Sequence, residues 1–186
     1  MKKIHQTNLD EVFVSSQVGF TGRLLQVKID TVTLPNGKES SREVIKHPGA
    51  VGILPVLDDG SIVLVKQYRY PVGTVLYEIP AGKLDIGEAP EVCAPRELSE
   101  ETGYKAKEWK LLTSIVTTPG FTDEVIHLYL AKGLTKEEQH TDEDEFIDVV
   151  AFTPEQVKKM VLEKDIFDAK TLSALLLYYL TEQNVK

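Results

Sequence analysis

The order of the expected elements makes this an α+β chain. Its N-terminal third alternates apolar and polar residues with a period of two, the mark of half-buried strands. Helical stretches are few and come late. They do not alternate regularly with strands, as a doubly wound parallel sheet would require. Turn residues punctuate the strand-like runs at Pro35-Asn36-Gly37 and Asp58-Asp59-Gly60.

Leu25, Val27, Ile29 and Thr31 share one face of a first strand, and Pro35-Asn36-Gly37 turns it into a second, over 40–46. Residues 50–57 and 62–68 then predict another hairpin, turned at Asp58-Asp59-Gly60. A short strand over 75–79 runs into Pro80-Ala81-Gly82. A helix is predicted over 90–102, stopped by Gly103. Pro95 falls inside it, and a proline costs about 3 kcal/mol in a regular helix, so a kink or a late start is expected. Strands over 110–116 and 125–131 follow, then a polar loop over 135–144 and a strand over 146–152. Helices over 154–163 and 168–181 close the chain.

A chain of 186 residues can bury a proper core in one domain, with room for a small N-terminal appendage. The formal net charge of -8 argues against general nucleic-acid binding through phosphates. The single cysteine, Cys93, cannot form an internal disulfide, so a reducing cytoplasm is the expected home. Cys93 lies in the predicted helix and reads as packing. The start, MKKIHQTNLDE, has no apolar stretch behind its lysines and is not a signal peptide. The longest apolar run, Ala174 to Leu180, is too short to span a bilayer, so no membrane partner is expected.

The chemistry is concentrated in GKLDIGEAPEVCAPRELSEETGY, from Gly82 to Tyr104. On a helix Glu97, Glu100 and Glu101 stand at i, i+3 and i+4, so all three carboxylates share one face. Like charges that close repel, and a plain surface helix gains nothing from them. A hard divalent cation converts the repulsion into binding, because such ions take oxygen ligands.

This string resembles the signature of the Nudix hydrolases, glycine-x5-Glu-x7-Arg-Glu-aliphatic-x-Glu-Glu-x-Gly-aliphatic. Gly82, Glu88, Arg96, Glu97, Leu98, Glu100, Glu101 and Gly103 fill the fixed positions, and Tyr104 departs mildly from the last, aliphatic one. The resemblance implies a mixed sheet sandwiched between helices in an α/β/α arrangement, with the motif as loop–helix–loop. Residues 48–186 would be the hydrolase domain and 1–47 an antiparallel β subdomain. It also implies hydrolysis of a nucleoside diphosphate linked to another moiety. Glu97 and Glu101 would be the core Mg²⁺ ligands, Glu100 would share a further ion, and the Ala81 carbonyl would add a backbone ligand. Mn²⁺ is the alternative ion. Arg96 would be structural, pairing with a carboxylate such as Glu88.

The flanks are similar to the ADP-ribose pyrophosphatases within that family. The matching stretches are Arg42 to Val51, Lys66-Gln67-Tyr68-Arg69, Tyr77 to Gly82, and Pro119-Gly120-Phe121-Thr122-Asp123-Glu124. This implies cleavage of ADP-ribose to AMP and ribose 5-phosphate. Arg69 is the first candidate for the substrate, since a guanidinium clamps diphosphate oxygens bidentately. Arg42, Glu43 and Glu124 are further substrate-binding candidates for the ribose or adenine. The acidic run Glu137 to Glu145 is for the most part a solvated loop. In ADP-ribose pyrophosphatases a loop before a late strand supplies a glutamate that prepares the water or binds metal. Glu145, then Glu143, fits that place. His5, His47, His127 and His140 show no metal-ligand spacing.

The resemblance further implies a homodimer in which the N-terminal strands, about Val18 to Lys46, contribute to the partner's pocket. The apolar face of Leu25, Val27 and Ile29 needs a cover in any case. Two other readings compete with ADP-ribose hydrolysis. One is a Nudix hydrolase for another nucleoside diphosphate derivative, such as a nucleotide sugar. The other is a nucleotide-sensing module without catalysis, which should carry a broken set of box glutamates; here all are present.

Overall fold

The structure, a computed structural model, describes residues 8–23, 25–139 and 146–182. The chain divides into two compact units, one of residues 1–47 with 118–124, the other of 48–117 with 125–186.

The N-terminal unit is a three-stranded antiparallel sheet of β1 (Val12–Thr21), β2 (Gln26–Thr33) and β3 (Glu39–Ile45), in that order. β2 and β3 answer to the two strands read from the alternation. β1, ten residues long, was not among the expected strands; two register shifts against β2 break the period-two pattern that would have announced it. The segment 118–124 is tied to the end of β3: Ile45 N–H donates to the Phe121 carbonyl at 2.8 Å, and Ile45 bridges Thr122 in parallel.

The second unit holds two sheets. The first runs β7 (Ala81–Lys83), β4 (Ala50–Pro55), β10 (Val125–Lys132), β9 (Glu108–Val116), with β4 and β10 parallel and the other neighbours antiparallel. The second runs β12 (Ile147–Phe152), β5 (Ile62–Arg69), β6 (Thr74–Glu78), all antiparallel. A two-stranded ladder joins β8 (Tyr104–Lys105) to β11 (Thr135–Lys136), inside the segment read as a polar loop. The expected hairpin of 50–57 with 62–68 is corrected here. β4 and β5 belong to different sheets, and their only ladder is an isolated bridge from Val56, just past β4, to Ile62. Both strands are apolar on each face, so alternation could not tell a hairpin from two central strands.

Helix α1 (Pro90–Thr102) packs on one side of the first sheet, where Cys93, Ala94 and Leu98 meet Val51, Ile53, Tyr129 and Ala131. On the other side Leu54, Leu128 and Leu130 join Ile62 and Leu64 of β5, Val157 of α2 (Pro154–Leu162) and Ala174 and Leu175 of α3 (Ala169–Glu182). A mixed sheet thus lies between helices. Leu98 is fully buried, and truncating such a leucine to alanine typically costs about 2–5 kcal/mol. Among the described residues no helix is long and apolar enough to cross a membrane.

Candidate active site

α1 runs without interruption across Pro95, so the late start allowed for on proline grounds does not occur. It ends where expected. Gly103 adopts the left-handed conformation at φ 65°, and its N–H returns to the Ser99 carbonyl at 2.9 Å. The buried side of the helix carries Ala94, Leu98, Glu101 and Thr102. Burying the leucine against the sheet therefore carries Glu101 inward with it. Its carboxylate is almost wholly covered and accepts the Ala81 N–H at 2.9 Å.

Glu97 reaches the same stretch of backbone. A Cβ on Gly82 would lie 1.9 Å from the Glu97 carboxyl carbon, so only glycine lets that carboxylate rest against the strand. Glu97 and Glu101 are thus both directed at Ala81-Gly82. These donors suit a hard divalent ion in type, being carboxylate oxygens beside half-buried backbone. Among the described residues, however, no three His, Cys, Asp or Glu side chains are gathered into a ready cage. Arg96 Nη1 sits 2.8 Å from Glu97 Oε1 and 3.0 Å from Glu100 Oε2 and takes up part of their charge.

Arg96 is the hub of the loop–helix junction. Its Nε and Nη2 grip Glu88 bidentately at 2.9 and 2.7 Å, and Nη2 also reaches the Lys83 carbonyl at 3.3 Å. The Arg96 hydrogen bond, with help from the Asp85 N–H, holds the Glu88 carboxyl down to about 2. The same bond raises the Arg96 guanidinium above its ordinary value. Burial, and then the neighbouring Glu88, pushes the Cys93 thiol up to about 12, which leaves it a packing group and no nucleophile. His127 Nδ1 lies 2.8 Å from Ser114 Oγ, a satisfied strand residue.

Arg69 does not stand alone as a diphosphate clamp. Its Nε and Nη2 bind the two oxygens of Glu78, each at 2.8 Å, leaving Nη1 without a partner among the described residues. Glu78 is 1% exposed. Burial pushes its carboxyl up, but the Arg69 hydrogen bond and the Lys170 charge outweigh that and hold it below the usual range. Sequence reading missed both Glu78 and Lys170. The signal for Glu78 was present: it follows Leu76 by two residues, so the strand period places it on the same inward face. Nothing local pointed to Lys170.

Arg42, Glu43 and Glu124 belong to the N-terminal unit. There Arg42 Nε donates to Glu11 at 2.9 Å, Glu43 is exposed on β3, and Glu124 lies 3.5 Å from His47 Nε2. Glu143 and Glu145 lie outside the described residues.

The NUDIX domain family profile matches residues 46–175. An ADP-ribose pyrophosphatase of Bacillus subtilis (strain 168) is 46% identical over 170 residues, covering 90% of this chain and 92% of that one. A methanol dehydrogenase activator of Bacillus methanolicus is also 46% identical, covering 89% and 91%. A crystal structure of an ADP compounds hydrolase superposes with a TM-score of 0.85 over 96% of this chain and 97% of its own, at 22% identity, which speaks for the fold. A glutamate helix closed onto Ala81-Gly82 and a family match across 46–175 lead to one assignment: this chain belongs to the Nudix family and is a Nudix hydrolase.

Proposed function

We propose that the chain hydrolyses the pyrophosphate bond of ADP-ribose to AMP and ribose 5-phosphate, with Mg²⁺ at the glutamate helix and Mn²⁺ as a possible replacement. The observation that carries the reading is the convergence of Glu97 and Glu101 on the Ala81-Gly82 backbone. The 46% identity to an ADP-ribose pyrophosphatase, over nearly the whole of both chains, supports the choice of substrate. Glu97, Glu101 and the Ala81 carbonyl would hold the ion, with Glu100 joining for a further one. When bound, the ion neutralises phosphate charge and activates water. Arg96 keeps the loop and helix in register through Glu88. Arg69 Nη1 offers a donor to a diphosphate oxygen. Arg42, Glu43 and Glu124 recognise the nucleoside or the terminal ribose. Glu145, with Glu143 as the alternative, prepares the water.

The likeness to a GDP-mannose pyrophosphatase, 34% identical over 74% of this chain, favours a second reading, in which another nucleoside diphosphate derivative is the substrate. A panel of ADP-ribose, sugar nucleotides, dinucleoside polyphosphates and nucleoside triphosphates with Mg²⁺, products identified, decides between them. Fastest turnover of ADP-ribose to AMP supports the first reading; faster cleavage of a nucleotide sugar selects the second. The same assay places the loop glutamate. Glu145→Gln is expected to lower kcat about 10²- to 10⁴-fold with little change in KM, and a larger loss in Glu143→Gln moves the role there.

We further propose a homodimer through the N-terminal sheet. β1 is exposed along all ten residues, including Val12, Phe13, Val14, Val18 and Phe20. A second copy is the cover that this face fits. The net charge of -8 speaks against nucleic acid as a partner. The buried, unactivated Cys93 suits the reducing cytoplasm.

A further inference from the structure

Lys170 stands outside everything the glutamate box accounts for. It opens α3, and its Nζ binds the Glu78 carboxylate and lies 3.1 Å from Asp168 Oδ2. Its side chain is 11% exposed, an unusual depth for a lysine. Taking an ammonium that far from water costs several kcal/mol unless partners offset it. The partner is a carboxylate already held at both oxygens by Arg69. Glu78 is therefore shared by two cations.

The backbone repeats the connection. Ile79 N–H donates to Thr171 Oγ1 at 2.9 Å, and Thr171 Oγ1 donates to Asp168 Oδ2 at 2.6 Å. Thr171 is fully buried. The first turn of α3 thus holds Glu78-Ile79 by a side chain and by the main chain. Two residues further, Ala81 N–H is bonded to Glu101. One short strap, 78–81, is anchored at α3 and ends on the acidic face of α1.

We propose that Lys170 is a positioning residue for the reaction: by sharing Glu78 it fixes Arg69 and keeps net positive charge there for the substrate's diphosphate. The inference rests on the reading of Arg69 as the diphosphate donor. An arginine bound to a carboxylate alone is a neutral pair and attracts an anion weakly. A second cation on the same carboxylate leaves one positive charge over the three groups. Asp168 offsets Lys170 less than its formal charge suggests. It accepts the Thr171 N–H at 3.0 Å, where the helix N-terminus supplies partial positive charge of its own.

The test uses Lys170→Met, which keeps the stem and removes the charge, and Lys170→Arg, which keeps the charge. KM and kcat are measured on the diphosphate that the wild-type protein cleaves fastest. Equilibrium affinity for ADP in the presence of EDTA is measured alongside and needs no turnover. Lys170→Met is expected to raise KM and weaken ADP binding about tenfold, with kcat within about twofold, and Lys170→Arg to recover most of the loss. In an Arg69→Ala background Lys170→Met should add less than about twofold, since its route is gone. Should the methionine variant melt early, Lys170→Gln, which retains a donor to Glu78, must show the same shift. Unchanged KM and ADP affinity in a folded neutral variant overturn the proposal. So does an undiminished effect in the Arg69→Ala background, or a fall in kcat alone. If Arg69→Ala itself leaves KM and ADP affinity unchanged, the diphosphate role of Arg69 has failed, and the role of Lys170 with it. If Arg69→Ala weakens both and Lys170→Met does neither, only the inference about Lys170 has failed.

Discussion

Glu88, Glu97, Glu100 and Glu101 each accept a hydrogen bond from their own unit, whereas β1 presents its apolar side chains to solvent from end to end. The contrast extends to the cores. α1 is pinned by fully buried Cys93, Ala94 and Leu98, while Val32 is the one buried apolar residue among the described residues of the N-terminal unit. A chain that satisfies its acidic helix internally can hold the geometry of that helix on its own. A sheet held by backbone bonds and almost no core is marginal in water until something covers it. The glutamate site and the outer strand should therefore respond to different perturbations.

The largest effect is expected at Glu101. Glu101→Gln keeps shape and removes charge from the proposed ligand set, so a loss of about a thousandfold in kcat/KM is expected with melting temperature and molecular mass little changed. Steady-state kinetics beside a thermal melt measure it, and near-normal turnover in the folded variant would remove Glu101 from the site. Gly82→Ala comes next. The new methyl meets the far end of a flexible side chain, so Glu97 swings away and the fold survives. A loss of about a hundredfold in activity is expected, matched by weaker Mn²⁺ binding in a titration, and intact Mn²⁺ affinity would show that Glu97 need not lie against the strand.

On the other side of the comparison, Phe13→Glu with Phe20→Glu places charge on the exposed strand. If the proposed dimer forms through β1, light scattering at micromolar concentration shows a variant mass half that of the wild-type protein, while α1 keeps its thiol protected. A variant mass equal to wild type would leave β1 outside the interface. The smallest effect concerns Glu88. Its carboxyl titrates at about 2 in the folded protein against an ordinary 4.5. A lowered carboxylate pKa stabilises the fold above the unfolded value, and that contribution is lost as pH falls through the folded one. Glu88→Gln should therefore melt below wild type at neutral pH, and the two curves should converge between about pH 4.5 and 2. Parallel curves across that window would remove the Arg96 pair as the source.

The two arginine–carboxylate pairs show how much could be read without coordinates. Arg96 and Glu88 are eight residues apart within one motif, and the helix that carries Arg96 declares itself by spacing, by Pro90 at its start and by Gly103 at its end. Helical order is local, since each turn depends on residues three or four apart, so the box, its shared face and its stop were legible. β9, β10, β12, α2 and α3 were legible from their own periodicity, to within a residue or two at their ends, whereas the two-residue strands β8 and β11 were too short to announce themselves. The late start weighed at Pro95 does not occur, since a proline penalty is a local sum and the helix is also held by the packing of Leu98 and Ala94 on the sheet.

What the chain order could not decide was which segments meet. The assignment of β4 and β5 to separate sheets depends on β10 and β12, which arrive much later in the chain. Lys170 and Glu78 are ninety-two positions apart, and no periodicity links them. A buried ion pair forms only where the fold brings two charges out of water together, and that is settled by strand faces and helix placement. By itself the sequence determined the carboxylate helix, its glycine stop and the family to which both belong. Tertiary structure alone gave Arg69 its buried partner and Glu101 its backbone donor, because burial is a property of what surrounds a residue rather than of its neighbours in the chain.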